Sequence, residues 1–262
     1  MKNAWIIFKK EIKNILKNKS IWLPVLIITF VFSLAFPLVL TLGGTYIFSD
    51  PDTLEFINRI FPATEDPFRS FLSFAIKQLV VLLLLIPAML PSLIAPASVV
   101  MEKNSNTLEP LLATPIKTSE ILFGKTLTSL IPSYALSLIS FTLMVITIDS
   151  VSLVKYGFAP LPTVEWVIAA FILSPILSFI ITMLSIMVSS RSKDIRSAQG
   201  IGAVVIFPIY AIIGLQFAGF FLLNVIYLLI ACLVLLAICP LLLRLAIKIF
   251  DREHILTKWK LN

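Results

Sequence analysis

Residues 78–100 read QLVVLLLLIPAMLPSLIAPASVV, a continuous run without a charged side chain. A helix of about 20 apolar residues is long enough to cross the hydrocarbon core of a bilayer. Four similar runs cover residues 20–49, 126–148, 166–190 and 197–243, and the last is long enough for two spans with a turn near Gly219 and Asn224. The sequence therefore predicts six transmembrane helices, at approximately residues 21–42, 79–100, 126–148, 166–190, 201–218 and 222–243.

The composition agrees with a membrane protein. Of the 262 residues, 59% are hydrophobic and only 13% are charged, about half the charged share that is usual in soluble domains. Such a chain cannot form the polar shell of a water-soluble globule. This excludes an ordinary soluble enzyme, a disordered chain and a disulfide scaffold. Because the apolar runs are continuous rather than alternating, a β-barrel is disfavoured, and we expect an all-α membrane protein with one domain over residues 1–262.

The basic residues indicate the orientation. Of the 21 lysine and arginine residues, 17 lie in the N-terminal tail, the second and fourth loops and the C-terminal tail, and four lie in the loops on the other side. Cytoplasmic loops carry an excess of Lys and Arg. Both termini are therefore predicted to be cytoplasmic. Trp22 and Trp166 stand at span starts, where aromatic rings prefer the headgroup level.

Residues 1–19 show a helical period of apolar and basic side chains. The apolar positions are Trp5, Phe8, Ile12 and Ile15, and the basic positions between them are Lys9, Lys10, Lys13 and Lys17. This pattern is typical of an amphipathic helix in the cytoplasmic interface. The alternative is a basic tail in which the period is incidental.

The predicted spans contain no Asp, Glu, Lys or Arg, and the only histidine, His254, lies in the C-terminal tail. Ion-coupled transporters and pumps generally keep ionisable groups at membrane depth. Intramembrane metalloproteases need a cluster of zinc ligands, and serine proteases need a base. The sequence makes these classes, and membrane-embedded enzymes in general, poor candidates.

Two spans carry hydroxyl side chains along one helical face. They are Ser129, Ser133, Ser137 and Ser140 in the third span, and Ser174, Ser178, Thr182 and Ser185 in the fourth. Small polar residues allow close helix packing in membranes. The second interpretation is that these faces line a mildly polar path for a substrate, and the sequence leaves both open.

The loop over residues 101–125 is the one with a sequence signature. It reads as a short helix, a stop at Pro115 and a second helix start with Glu120 in its first turn. Leu108, Leu111 and Leu112 share one side of the short helix. Apolar side chains on a cytoplasmic loop helix suggest either docking into a partner's groove or contact with lipid alone.

This loop resembles that of ABC (ATP-binding cassette) exporter permeases of the type-2 class. In that family an acidic residue precedes the motif Gly-Thr-Leu-Glu-x-Leu-Leu-x-Thr-Pro. The motif is followed by a Glu and then by Gly-Lys, which leads into the third span. The chain departs from that form at Asn106, where the family usually has Gly. The resemblance implies a coupling segment that touches an ATPase. The matching positions are Glu102, Thr107, Leu108, Glu109, Leu111, Leu112, Thr114, Pro115, Glu120, Gly124 and Lys125.

The resemblance implies the membrane-spanning permease subunit of an ATP-driven exporter, working with a separate ATPase and a second permease copy or homologue, in the inner membrane of a prokaryote. The chain has no Gly-x-x-x-x-Gly-Lys-[Ser/Thr] phosphate loop. We therefore expect no enzyme activity and no cofactor in this chain, with ATP and Mg bound by the partner. The alternative is a non-transporting scaffold or assembly protein of the same fold.

Overall fold

The computed structural model describes residues 2–17, 19–47, 55, 67–104, 116, 118–189, 195–217 and 224–249. Every secondary-structure element in these ranges is helical, which confirms the all-α class. The elements of the N-terminal part are α1 (Lys2–Lys17), α2 (Lys19–Phe30), α3 (Phe36–Ile47), α4 (Pro67–Gln78) and α5 (Val80–Asn104). Those of the C-terminal part are α6 (Thr118–Tyr156), α7 (Val164–Ile168), α8 (Ser174–Ser189), α9 (Ile195–Phe217) and α10 (Val225–Ile249).

Two π-helical turns join neighbouring helices without interrupting them. Val31–Ala35 links α2 to α3, and Ala169–Leu173 links α7 to α8. In the second, the hydroxyl of Ser174 donates to the carbonyl of Ala169, five residues earlier, at 2.9 Å. The same carbonyl also accepts the backbone N–H of Ser174, so the hydroxyl adds a second hydrogen bond where the ordinary helical pattern changes.

Five helical stretches within the described ranges are long and apolar enough to cross a membrane: Trp22–Gly43, Arg69–Glu102, Ser119–Tyr156, Val164–Ser189 and Val225–Ile249. They cover five of the six predicted spans. The remaining prediction, residues 201–218, falls in α9, whose apolar part Gly202–Gln216 is shorter. Several helices extend past their charge-free runs, because a helix continues its hydrogen bonding beyond the hydrocarbon region, where charged side chains are tolerated.

The central helix of the bundle is α5. In the most apolar part of Arg69–Glu102, 89% of the residues are buried, against 17% in that of Val225–Ile249. α5 packs against α2, α6, α8 and α9, and Leu83, Leu90 and Ile94 are completely buried. Its side chains are apolar around the whole circumference, as expected for a helix covered on all sides. A movement of α5 therefore reaches most of the bundle.

α9 runs antiparallel along α5. Near its start, the amide nitrogen of Gln199 donates to the carbonyl of Leu93 at 3.4 Å. Near its end, the amide nitrogen of Gln216 donates to the carbonyl of Gln78 at 2.8 Å. We call the two ends of the bundle the Glu102 end and the Gln78 end, after residues near the two ends of the Arg69–Glu102 stretch.

Polar contacts hold the Gln78 end together. The hydroxyl of Tyr156, at the end of α6, donates to the carbonyl of Thr41 in α3 at 2.9 Å. The ammonium of Lys77 lies 3.9 Å from a carboxylate oxygen of Glu165. The first contact joins the end of α6 to α3, and the second joins the end of α4 to the start of α7.

Trp166, which is expected at the headgroup level, does not point outward from the chain. Its side chain is completely buried and its ring centre lies 6.4 Å from that of Phe141 in α6. The ring therefore packs between helices, where apolar area is removed from lipid and water alike. Trp22 is half-buried, and its indole nitrogen donates to the carbonyl of Ile15 at 3.1 Å, so it braces the junction of α1 with α2.

Candidate functional site

The start of α6 lies directly against α1. A Cβ atom added at Gly124 would stand 2.8 Å from the carbonyl oxygen of Ala4 and 3.0 Å from the Cβ of Ile7. The absence of a side chain at this position is what lets the two backbones approach. The buried face of α1 is formed by Ala4, Ile7, Phe8, Glu11 and Ile15. It shares Phe8 and Ile15 with the predicted apolar face, but it contains neither Trp5 nor Ile12.

A cluster of three buried ionisable side chains lies beside this close approach. The ammonium nitrogen of Lys125 is 2.6 Å from Oε1 of Glu11 and 2.8 Å from Oε2 of Glu102. The side chain of Lys125 is completely buried, and those of Glu11 and Glu102 are 7% and 11% exposed. Glu11 belongs to α1, Glu102 to α5 and Lys125 to α6, so one lysine joins three helices.

The cluster holds two carboxyl groups for one ammonium group. Burial raises the pKa of Glu11 above its usual value, because water no longer stabilises its charge. Lys125 opposes this increase in pKa by attracting the carboxylate, and Glu102 adds to it by repulsion. The second carboxylate oxygen of Glu11 is buried and has no hydrogen-bond partner among the described residues. The ionised form of Glu11 is therefore stabilised less than that of a carboxylate with an ammonium partner of its own.

Four of the predicted coupling residues lie in the described part of the chain. Glu102, Gly124 and Lys125 come together with α1, and Glu120 lies half-buried in the first turn of α6. The other predicted coupling positions lie outside the described residues: Thr107, Leu108, Glu109, Leu111, Leu112, Thr114 and Pro115.

Sequence reasoning missed Glu11. It is the only acidic residue among positions 1–49, and it occupies the same helical face as Ile7, Phe8 and Ile15. A lone acid on the apolar face of an otherwise basic helix was the available signal, because a charge at such a position needs a partner when the face is buried.

The hydroxyl side chains of the third and fourth predicted spans face the interior of this single chain. All eight are buried: Ser129, Ser133, Ser137, Ser140, Ser174, Ser178, Thr182 and Ser185. The hydroxyl oxygens of Ser137 and Ser174 lie 2.9 Å apart and join α6 to α8. This position between packed helices favours the packing interpretation. The substrate-path interpretation stays a prediction.

One of these hydroxyls compensates for a proline. The hydroxyl of Ser178 donates to the carbonyl of Pro87 at 3.0 Å. In a regular helix that carbonyl would accept from the backbone N–H of residue 91, but Pro91 has none. Pro96 likewise leaves the carbonyl of Ser92 without its helical donor. A Cβ added at Gly202 would be only 2.5 Å from that oxygen, so α9 crosses α5 closely at this point.

A metal site is not evident in the described ranges, which contain no group of three or more His, Cys, Asp or Glu side chains placed to hold an ion. The chemistry of the described site is instead that of a buried ion cluster at the junction of three helices. In this cluster one ammonium group joins residues of α1, α5 and α6.

The apolar helices, the buried central α5 and the ionic junction at one end define a multi-pass α-helical membrane protein. A family model described as "ABC-2 family transporter protein" matches residues 5–226. The chain therefore belongs to the ABC-2 transporter family. A comparison with curated proteins finds no match.

Proposed function

We propose that this chain is the membrane-spanning permease subunit of an ATP-driven exporter. Two permease chains and two separate ATPase subunits form the working complex, and the path for the exported molecule lies between the two permeases. The ATPases bind ATP and Mg, and the permease itself catalyses no reaction. Membership of the ABC-2 transporter family supports the assignment.

The observation that carries the proposal is the position of Lys125. Glu102 lies near the end of α5 and Lys125 near the start of α6, so the pair closes the loop over residues 105–115 at its base. This is the loop whose sequence resembles an ATPase-coupling segment. Because the base is held by buried ion pairs at 2.6 and 2.8 Å, a force on the loop reaches α1, α5 and α6 together.

The central position of α5 completes the route. When ATP binding closes the two ATPases, the coupling loop moves with them, and α5 transmits that movement to α8 and α9. The 17-to-4 division of basic residues supports a cytoplasmic position for the Glu102 end, where the ATPases are. The cell membrane of a prokaryote is the compartment that fits this arrangement.

Purification with the ATPase tests the proposal. The double variant Leu111→Asp and Leu112→Asp places two charges on the apolar side of the loop and is expected to abolish recovery of an ABC ATPase with the tagged permease. Val154→Asp is the control, because Val154 is 88% exposed at the opposite end of α6. It should leave recovery unchanged.

Two outcomes contradict the proposal. If the unaltered permease recovers no ATPase from its own cells, the chain is a scaffold or assembly protein of the same fold. If the ATPase is recovered equally well with the double variant, the loop over residues 105–115 is not the coupling segment. ATPase activity of the reconstituted complex, measured with and without candidate substrates, then distinguishes a transporter from an inactive assembly.

A further inference from the structure

The three helices of the ionic cluster are not held equally. α5 and α6 pack against each other, and α5 is covered on all sides. α1 uses one face only, and its lysines Lys9, Lys10 and Lys13 are exposed on the other. Of the three helices, α1 is therefore the one that can separate with the least loss of packing.

The charges of the cluster also favour separation of α1 rather than of α5 or α6. Glu102 repels Glu11, while Lys125 attracts both. If α1 moves away, Lys125 keeps Glu102 at 2.8 Å, and no buried charge is left without a partner. Glu11 gains water in return, including at the carboxylate oxygen that has no hydrogen-bond partner among the described residues.

We propose that Lys125 is a positioning residue with two different attachments: it holds α5 to α6 permanently through Glu102, and it holds α1 exchangeably through Glu11. α1 is then a helix that docks on α6 and separates from it. The docking equilibrium is a property of the chain itself. Its use during export rests on the function proposed above.

A cysteine at Ala4 reports the separation, because Ala4 is 2% exposed and its backbone faces Gly124. The experiment uses the full-length chain in detergent micelles with Cys232→Ala and Cys239→Ala, and measures the rate of maleimide labelling of Ala4→Cys. Ile6→Cys is the matched control, since Ile6 is 61% exposed on the same helix and its labelling rate should not depend on docking.

Three variants separate an exchangeable attachment from a merely structural one. Lys125→Met leaves two carboxylates buried together, so labelling at position 4 should become at least about fivefold faster. Adding Glu11→Gln to Lys125→Met removes the repulsion and should return the rate toward that of the parent. Glu102→Gln removes the group that repels Glu11, so labelling should become slower, by about fivefold.

The result for Glu102→Gln decides the question. If all three groups only maintain the fold, this variant should loosen α1 as Lys125→Met does, and faster labelling would overturn the proposal. Should Glu102→Gln fail to fold, the pair Lys125→Met and Lys125→Met/Glu11→Gln still decides. Equal fast labelling of these two contradicts the electrostatic account.

The role in export is tested in the complex with the ATPase. Addition of ATP should increase labelling at position 4 and leave labelling at position 6 unchanged. If the complex forms and ATP changes neither rate, movement of α1 during the cycle is wrong. If no complex forms, the proposed function fails, while the order of rates among the variants of the isolated chain still supports the exchangeable attachment.

Discussion

Lys125 shows what a membrane protein needs when a lysine lies beyond the reach of water. An unpaired ammonium group in such a place costs several kcal/mol, and its charge must be compensated by groups already present. Two carboxylates at 2.6 and 2.8 Å provide this compensation. Because they come from different helices, the requirement of one side chain determines how three helices meet.

At this scale, the titration of Glu11 gives a pH dependence. Burial raises the pKa of Glu11 above 4.5 in the docked state. Protonation therefore favours docking: this contribution is fully present below pH 4.5, and it is lost as pH rises through the higher pKa of the docked state. We therefore expect the labelling rate of Ala4→Cys, divided by that of Ile6→Cys at the same pH, to decrease as the pH is lowered from about 8 to about 5.

The charged groups that face Glu11 in the described part of the chain are Lys125 of α6 and Glu102 of α5. α2 also packs against α1, and its first residue, Lys19, is exposed. Introducing Glu11→Gln into both reporters should remove the pH dependence of the labelling ratio. A ratio that varies equally with pH in the presence of Glu11→Gln would assign the effect to another group.

Two of the three residues of this cluster could be predicted from the sequence, but their arrangement in space could not. Resemblance to a loop motif selected Glu102 and Lys125 as coupling residues, whereas α1 was expected to contribute only apolar and basic side chains. Periodicity placed its apolar face at Trp5, Phe8, Ile12 and Ile15. The structure buries Ala4, Ile7 and Glu11 instead of Trp5 and Ile12, because Gly124 admits small side chains and the backbone of α1, and Lys125 requires an acid.

At the scale of elements, α5 illustrates how a proline-rich helix is stabilised in the interior. Pro91 and Pro96 remove donors from their own helix, and neighbouring helices approach the carbonyls that are freed. From α8, the hydroxyl of Ser178 donates to the carbonyl of Pro87 at 3.0 Å. From α9, Gly202 lies close to the carbonyl of Ser92. The kinks and the packing of α5 thus depend on each other.

Removal of the Ser178 hydroxyl tests this dependence. Ser178→Ala leaves the carbonyl of Pro87 without its donor and is expected to reduce the free energy of unfolding by about 1 kcal/mol. Ser185→Ala is the matched control on the same helix, because the Ser185 hydroxyl is buried but has no hydrogen-bond partner among the described residues. Titration with SDS in mixed micelles measures both, and equal losses would contradict the assigned role of Ser178.

The hydroxyl face of the fourth predicted span is visible in the sequence and selects Ser178 and Ser185 together. It could not say which hydroxyl meets an acceptor. That depends on the height at which α8 crosses α5, which is determined by apolar packing over the full length of both helices. The hydroxyl face of α8 can therefore be predicted from the sequence pattern, but the hydrogen bond of Ser178 to Pro87 cannot.

At the scale of the whole molecule, the number of crossings depends on α9. Its 23 residues give a length of about 34 Å at the usual rise per residue, whereas its apolar part, Gly202–Gln216, is shorter than a typical span. Composition alone therefore leaves the crossing undecided. The contacts with α5 favour it, because Gln199 bonds at the level of Leu93 and Gln216 at the level of Gln78.

If α9 crosses, Ser197 and Asn224 lie on opposite sides of the membrane; both positions are exposed in the structure. In a background without Cys232 and Cys239, a membrane-impermeant maleimide should label Asn224→Cys in intact cells, and Ser197→Cys only after the membrane is opened. Val154→Cys, 88% exposed near the Gln78 end, is the control for an outer position. Labelling of Asn224→Cys only in opened cells would instead mean five crossings. The five basic residues from Arg244 onward would then face outward, against the charge asymmetry that the other loops obey.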